Sequence, residues 1–378
     1  MTTSLMNVFF ISMIGAWFAS LAPSRSRTLW NTPKPNLAGF LIACFVMIAF
    51  AGLRKSIGDT YYYRHMLTNL LEAGNPVPQW GEGTMLFSMI QYLSIEYGGK
   101  ENMDLIFIMS TSVLSYLPVL FVFRKYSPDF LLALFFYFST GIYVGTMNGI
   151  RQYVAVAIIM LATRFLFSDK KSSALICLVF VAVAFLFHSS ALFMIPVYFI
   201  CRRKAWSGIT FLTIAGGIAV LIFVSLFLPS FMEILEGTDY ALYNDGWFTG
   251  GSTGGSNILR VGIHALPMIL SAIFRKELQR YGPVTDILVN LSVVHFAVFL
   301  VSLYNWVFAR FAYYTYAYMC VLLSLIFSTV LKSEKFKGMK CLLYAAYMFF
   351  FFKDSAGMDA YWSEYFKPDN TVWFPFLY

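Results

Sequence analysis

Five basic side chains stand at the ends of long apolar runs, or interrupt one. Arg151 opens "RQYVAVAIIML", His188 interrupts "FLFHSSALF", and Arg310 lies among the aromatic residues of "YNWVFARFAYYTYAY". Arg260 and His264 are four residues apart in "NILRVGIHALP", so they share one face of a predicted helix. Ionisable residues at membrane depth are costly and point to functional sites. Guanidinium and imidazole groups in such places favour a phosphorylated ligand, whose charge they can hold without a metal.

A second polar group follows the second apolar run, in "GLRKSIGDTYYYRHM". It contains Arg54, Asp59, Tyr63, Arg64 and His65, and it should lie at the membrane surface. Asp59 is the carboxylate best suited to act as a general base, and orienting a nearby arginine is an equal alternative. Arg54 and Tyr63 are predicted to bind substrate together with the arginines at the span ends.

Each candidate also has a purely structural interpretation. Arg151 can snorkel to the lipid interface, His188 can hydrogen-bond within its own turn, and the pair Arg260–His264 can face lipid headgroups. Aromatic residues around Arg310 are typical of interfacial belts. No H-x-x-x-H or D-x-D pattern occurs, so we predict neither a metal site nor a cofactor.

The elements that position these residues are predicted to be membrane-spanning helices. Of 378 residues, 59% are hydrophobic and 12% are charged, whereas soluble domains carry about 25% charged residues. Several apolar runs approach about 20 residues, which is enough to cross a bilayer core of roughly 30 Å. The runs are continuous rather than alternating, which favours helices over a barrel. The prediction is therefore an all-α polytopic membrane protein with one membrane-embedded domain, residues 1–378, and no separate soluble domain.

The net charge of +8 is explained by membrane topology. Six short connections hold 18 of the 27 lysines and arginines but only five acidic residues. The positive-inside rule assigns these connections to the cytoplasm. The basic composition therefore gives no indication of nucleic-acid binding.

The apolar runs between these connections predict about 12 transmembrane helices with both chain termini outside. The predicted spans are 5–21, 37–52, 103–123, 130–146, 150–167, 173–187, 191–201, 209–228, 258–274, 284–303, 308–331 and 341–352. The run 84–97 contains Gln91 and Glu96, and an interfacial or re-entrant helix is predicted there. Outer loops with short helices are predicted at 53–102 and 229–257, the second ending in the hinge-like "TGGSTGGSN".

His188 marks a predicted bend in the chain. The run 172–201 contains no Asp, Glu, Lys or Arg and has basic residues on both flanks. As one helix it would be about 45 Å long, too long for one perpendicular crossing. Basic flanks at both ends require an even number of crossings. The chain should therefore turn at "HSS", which places His188 just below the outer surface.

Four of these stretches, in their order and spacing, resemble the EpsG/Wzy group of bacterial polysaccharide polymerases, which includes O-antigen, lipopolysaccharide and exopolysaccharide enzymes. They are "GLRKSIGDTYYYRHM", "NGIRQYVAVAI", "FHSSALFMIPVYF" and the Arg310 span, and they run from about residue 50 to 330. The ending "WFPFLY" resembles the aromatic-proline ending of the group. The resemblance implies a metal-independent glycosyltransferase with a glycosyltransferase-C-like fold in the bacterial inner (cytoplasmic) membrane. It would polymerise undecaprenyl-pyrophosphate-linked repeat units at the periplasmic face.

The resemblance also implies partners and a mechanism. The partners are a lipid-linked oligosaccharide donor and acceptor, membrane lipids, a chain-length regulator and a flippase. The terminal hydroxyl of one repeat would attack the anomeric carbon of the growing chain, with undecaprenyl pyrophosphate as leaving group. His188 or Asp59 would take the proton, with His264 in support. The pyrophosphate would be held by the three span-end arginines, Arg151, Arg260 and Arg310.

Three other functions fit parts of the pattern. A transporter or flippase for lipid-linked sugars fits twelve spans, although transporters more often carry charges near the bilayer midplane. A polysaccharide ligase would use the same donor and the same pyrophosphate site. A membrane acyltransferase would need a histidine base, but the number of arginines favours a phosphorylated donor.

Overall fold

The computed structural model describes residues 2–55, 57–78, 84–234 and 255–365. Every named element in these residues is a helix, and one isolated antiparallel bridge joins Arg27 and Pro33. The α-helices, numbered α1 to α16 in chain order, are Thr2–Leu21, Leu37–Gly52, Thr60–Glu72, Met85–Tyr126, Phe130–Ser139, Ile142–Gly145, Ile150–Leu161, Thr163–Leu166, Ser172–Phe185, Met194–Cys201, Gly208–Ile234, Ile258–Ile273, Arg275–Gln279, Pro283–Val301, Tyr313–Leu325 and Lys337–Tyr365. The predicted all-α architecture is confirmed for the described residues.

Four helical segments of the described chain are long and apolar enough to cross a membrane. They are Met85–Tyr126, Gly208–Leu226, Pro283–Val301 and Trp306–Val330. Shorter apolar helices of 10–17 residues accompany them. The chain is a helical membrane protein, while the count of twelve spans and the glycosyltransferase-C-like arrangement stay predictions.

Helix boundaries follow the predicted spans closely in some places and depart from them in others. Helix α2 has the predicted bounds 37–52. The predicted span 130–146 is divided into α5 and α6 at Gly141, where φ is +80°. Helix α11 runs past the predicted end at 228 to Ile234. Most of the predicted outer loop 229–257 and the ending "WFPFLY" lie outside the described residues.

The run 84–97 forms the first arm of α4. The backbone leaves helical geometry at Gly99 (φ 54°, ψ −164°), which divides α4 into two arms. Both arms pack on α3 in one apolar cluster, formed by Tyr63, Leu67, Phe87, Ile95, Met103, Phe107, Ile108 and Ile150. The first arm therefore packs with the short helix α3, and the interfacial placement of 84–97 stays a prediction.

The described chain groups into two compact units. The first comprises residues 1–195 and 323–378, and the second comprises residues 196–322. In the first unit, α2 packs against α1 and α4, and α7 packs against α4 and α9. In the second unit, α14 packs against α11 and α12. The candidate residues are divided between the units: Arg54, Asp59, Tyr63, Arg151 and His188 belong to the first, and Arg260, His264 and Arg310 belong to the second.

Candidate active site

Two turns of the first unit meet and bring two of the motif stretches together. Asp59 precedes α3, and its Oδ2 accepts a hydrogen bond of 2.6 Å from the backbone N–H of Gly149. Gly149 has φ 77° and stands directly before α7, in a left-handed conformation that glycine adopts without a Cβ penalty. Gly58 has φ 61°, and a Cβ there would lie 2.5 Å from the carbonyl oxygen of Met147. The two glycines therefore allow the close approach that places Asp59 at the start of α7.

Arg151 lies in the first turn of α7, where its charge and its backbone amide interact with the side chain of Tyr63. Tyr63 is 7% exposed, and burial raises the pKa of its phenol to about 12, while the charge and backbone amide of Arg151 oppose the rise. The phenol is therefore neutral at physiological pH. The Nε of Arg151 is buried and has no hydrogen-bond partner among the described residues. A buried guanidinium nitrogen without an acceptor, at a helix N-terminus that already favours anions, suits a phosphate group.

Arg54 has a different environment from Arg151. Its side chain is 2% exposed, and its Nε donates a hydrogen bond of 2.8 Å to Thr60 Oγ1. Its Nη1 donates to Ser112 Oγ at 2.9 Å and to the carbonyl of Ala51. Burial lowers the pKa of the guanidinium to about 10, and two tyrosines and Asp59 oppose the change. Arg54 thus remains charged and ties the end of α2 to α3 and α4.

His188 stands where α9 gives way to the 3₁₀ helix Ser189–Phe193, with an extended backbone (φ −157°, ψ 125°). The helix is interrupted at "HSS", where the sequence predicts the turn, and the return of the chain to the same side of the membrane stays a prediction. His188 Nδ1 accepts a hydrogen bond of 3.2 Å from the backbone N–H of Ser190 and lies 2.7 Å from its hydroxyl. Gln152 Nε2 donates to the same hydroxyl at 3.0 Å. Because Gln152 follows Arg151 in α7, these bonds place His188 close to the first turn of α7.

His264 of the second unit belongs to a buried chain of hydrogen bonds. Thr315 Oγ1 donates to the carbonyl of Ala312 at 2.9 Å, so it accepts from His295 Nδ1 at 2.8 Å. His295 Nε2 then accepts from His264 Nδ1 at 3.3 Å. His264 Nε2 in turn accepts from the hydroxyl of Tyr316 at 2.9 Å. All hydrogen bonds of this series run in one direction, because the last acceptor is a carbonyl that cannot donate.

This series of hydrogen bonds gives His264 a role in the packing of the fold. His264 is 2% exposed and His295 is fully buried, and the ring of Phe299 stacks on His264 with centroids 4.0 Å apart. The Nε2 lone pair of His264 already accepts a hydrogen bond, so it has no lone pair left for a substrate proton. His295 was missed by sequence reasoning, since a single histidine in "VVHFAVF" gives no sign of its partners.

The two arginines predicted in the second unit lie on separate elements. Arg260 is on α12, one turn before His264. Arg310 is on the 3₁₀ helix Trp306–Ala312, and its Cζ lies 4.9 Å from the ring centroid of Trp306, a cation–π distance.

An apolar groove of about 360 Å³ lies between α2 and α4. Ala49 and Met109 line the part of it that is nearest to Arg54, since the partners of Arg54 follow within one turn on each helix. Apolar concave surfaces suit hydrocarbon ligands. The other lining residues are Leu41, Cys44, Phe45, Ile48 and Val113.

Together, the helical membrane fold and the cluster at the start of α7 define an integral membrane protein with a cationic helix N-terminus and an apolar groove in the same compact unit. No group of three or more His, Cys, Asp or Glu side chains in the described part of the chain could hold a metal ion. The family model of the EpsG family matches residues 37–368, a range that includes every candidate residue. The chain belongs to the EpsG family, and this membership indicates a membrane polysaccharide polymerase. Comparisons with curated proteins and with solved structures give no match.

Proposed function

We propose that this protein polymerises undecaprenyl-pyrophosphate-linked oligosaccharide repeat units at the periplasmic face of the bacterial inner membrane. The terminal hydroxyl of one lipid-linked repeat attacks the anomeric carbon at the reducing end of the growing chain. A new carbon–oxygen bond forms, and the bond from that carbon to the pyrophosphate oxygen breaks. The electron pair leaves with undecaprenyl pyrophosphate, and the hydroxyl proton passes to a base of the protein.

The observation that carries this proposal is the cluster of Asp59, Gly149 and Arg151 at the start of α7. It combines a carboxylate, a helix N-terminus and a guanidinium nitrogen that is buried without an acceptor. A glycosyl transfer from a pyrophosphate donor needs a base for the attacking hydroxyl and positive charge for the leaving group. Both kinds of group are present, because Asp59 bonds to the backbone of Gly149, two residues before Arg151.

The other candidate residues have supporting roles in this scheme. Tyr63 interacts with the charge and the backbone of Arg151, and Arg54 holds the turn that carries Asp59. Either Asp59 or His188 takes the proton. In the second unit, His264 supports the helix packing, and Arg260 and Arg310 stay predicted anion-binding residues of that unit.

The apolar groove between α2 and α4 is the proposed path of the polyprenyl tail. Its lining is apolar along its length, and it ends beside the polar residues around Arg54. An amphiphilic substrate has this order of properties, with a hydrocarbon tail followed by a charged head. The tail would therefore lie against α2 and α4, with the pyrophosphate at α7.

The test is polymer formation by the purified full-length protein in liposomes that contain a lipid-linked repeat unit. We expect a ladder with steps of one repeat, with one undecaprenyl pyrophosphate released for each bond formed. Arg151→Ala should lower the rate by about a hundredfold or more, as expected for loss of a main charge on the leaving group. Arg151→Lys should keep part of the activity, since lysine supplies the charge without the bidentate geometry.

Arg25→Ala is the matched control, because Arg25 is exposed and lies outside the cluster. Its ladder should equal that of the unchanged protein. A normal ladder from a well-folded Arg151→Ala protein would overturn the assignment of Arg151. Transfer to an unrelated acceptor without laddering would indicate a ligase, and movement of the lipid between leaflets without any product would indicate a flippase.

A further inference from the structure

The bend at His188 fixes which ring nitrogen of this histidine carries a proton. A backbone N–H can only donate, and that of Ser190 points at His188 Nδ1 from 3.2 Å. Nδ1 must therefore present its lone pair. In a neutral imidazole the single ring proton is then on Nε2.

The surrounding side chains support the same arrangement. The hydroxyl of Ser190 accepts a hydrogen bond from Gln152 Nε2 at 3.0 Å, which leaves its own proton for His188 Nδ1 at 2.7 Å. The donors run from Gln152 through Ser190 to His188. A proton on Nδ1 would face the amide proton of Ser190. The tautomer with its proton on Nε2 is therefore favoured by two contacts, those with the amide and with the hydroxyl of Ser190.

We propose that His188 donates a hydrogen bond from Nε2–H to the pyrophosphate, and that Ser190 and Gln152 are positioning residues that set this tautomer. The inference rests on the proposed function for the identity of the acceptor. A base would need a lone pair on Nε2, which this tautomer does not offer. His188 keeps its proton throughout, and the proton of the attacking hydroxyl goes to the carboxylate of Asp59.

The place of His188 in the fold agrees with this role. Gln152 is the third residue of α7, and Arg151 precedes it. One of the two residues that orient His188, Gln152, therefore belongs to the helix turn that is proposed to bind the pyrophosphate. A neutral N–H donor adds to the guanidinium of Arg151 and to the helix N-terminus, and all three suit the same anion.

Two replacements of His188 separate a donor from a base. His188→Gln offers an amide N–H near the position of Nε2 but cannot take a proton, whereas His188→Glu is a base without a donor at neutral pH. A donor role predicts that His188→Gln loses about tenfold in kcat and that His188→Glu and His188→Ala lose about a hundredfold or more. Higher activity of His188→Glu than of His188→Gln would overturn the proposal. His65→Ala is the control, because His65 is exposed on α3, and its rate should be unchanged.

A spectroscopic test reads the tautomer without any substrate. The chain has four histidines, so the full-length protein labelled with ¹⁵N-histidine has few ring signals, and the set lost in His188→Gln belongs to His188. We expect a protonated Nε2 and an unprotonated Nδ1. Ser190→Ala keeps the backbone N–H that fixes the tautomer but removes the hydroxyl that orients the ring. It should therefore lower kcat several-fold at unchanged KM and leave the tautomer unchanged, while Ser189→Ala, at the exposed neighbour, should change neither.

The two proposals fail in different ways. A His188 signal with the proton on Nδ1 would overturn the inference, whatever the activity. A Ser190→Ala protein with unchanged kcat would remove the positioning role of the Ser190 hydroxyl. An unchanged protein that shows the Nε2–H tautomer but makes no polymer would leave the inference on the ring intact and overturn the proposed function.

Discussion

At the scale of residues, two arginines in the same cluster have different environments. Arg54 is buried and donates to two hydroxyls and a carbonyl, so its hydrogen-bonding capacity serves the fold. Arg151 has a buried Nε without a partner in the described chain, so it is the better candidate for an anion. Both arginines look alike in the sequence, because each stands at one end of an apolar run.

Stability and activity should therefore respond differently at these two positions. Arg54→Ala removes several bonds from a buried charged donor and should lower the free energy of unfolding by about 2–4 kcal/mol. Arg54→Lys should lose nearly as much, since an ammonium group cannot make the same directed bonds. Arg151→Ala should leave the midpoint of thermal unfolding almost unchanged. Thermal unfolding in detergent measures these differences, and equal midpoints for Arg54→Ala and Arg151→Ala would contradict the distinction.

At the scale of elements, the site is formed by the start of α7 and by the turns that contact it. Asp59 arrives from the turn before α3, and His188 arrives from the break after α9. Neither turn has a long apolar surface of its own. The Asp59 turn is held by its bond to Gly149 and by the close approach of Gly58 to Met147. The His188 turn is held by the hydrogen bond from Gln152 to Ser190.

Gly58 and Gly74 form a matched pair that tests this dependence. Both have positive φ, but a Cβ at Gly58 would lie 2.5 Å from the carbonyl of Met147, whereas Gly74 has no atom within 4 Å. Each alanine substitution should cost about 1 kcal/mol for the left-handed backbone. Gly58→Ala should also displace Asp59 and lower the polymerisation rate by at least about tenfold, while Gly74→Ala should keep it. Equal activities of the two variants, measured as ladder formation, would show that the contact does not position Asp59.

Sequence periodicity and charge predicted several helix boundaries but not the contacts between the helices. The bounds of α2 and the break at His188 follow from apolar run length and flanking charge, both of which are local properties. The burial of Arg54 depends on Ser112, which is far away along the chain. The partner of His264 depends on helix packing in the same way. Such contacts are set by tertiary packing, and one sequence gives no sign of them.

At the scale of the whole molecule, the distribution of basic residues predicts which segments share a side of the membrane. Glu72 on α3 and Lys100 after the break in α4 are both exposed, and both fall in the predicted outer segment 53–102. Lys335 is exposed in a basic connection on the predicted cytoplasmic side. The two sides face different aqueous compartments, so a reagent that does not cross the membrane can distinguish them.

Single cysteines at these positions test the topology and the run 84–97 together. In a background with Cys341, the exposed native cysteine, changed to serine, Glu72→Cys and Lys100→Cys should react with an impermeant maleimide in intact spheroplasts. Lys335→Cys should react only in inverted vesicles. If 84–97 crosses the membrane, Glu72→Cys and Lys100→Cys will react from opposite sides, and the predicted interfacial helix is wrong.

The bond between Asp59 and Gly149 joins positions that are 90 residues apart in the chain. Beside it, Gly58 fits against Met147 with no room for a larger residue. The two turns should therefore be exchanged together when segments of family members are recombined. A chimaera that receives residues 53–78 from a relative without residues 141–152 combines two surfaces that were never fitted to each other. Substrate preference should be transferable between relatives only when both segments are moved together.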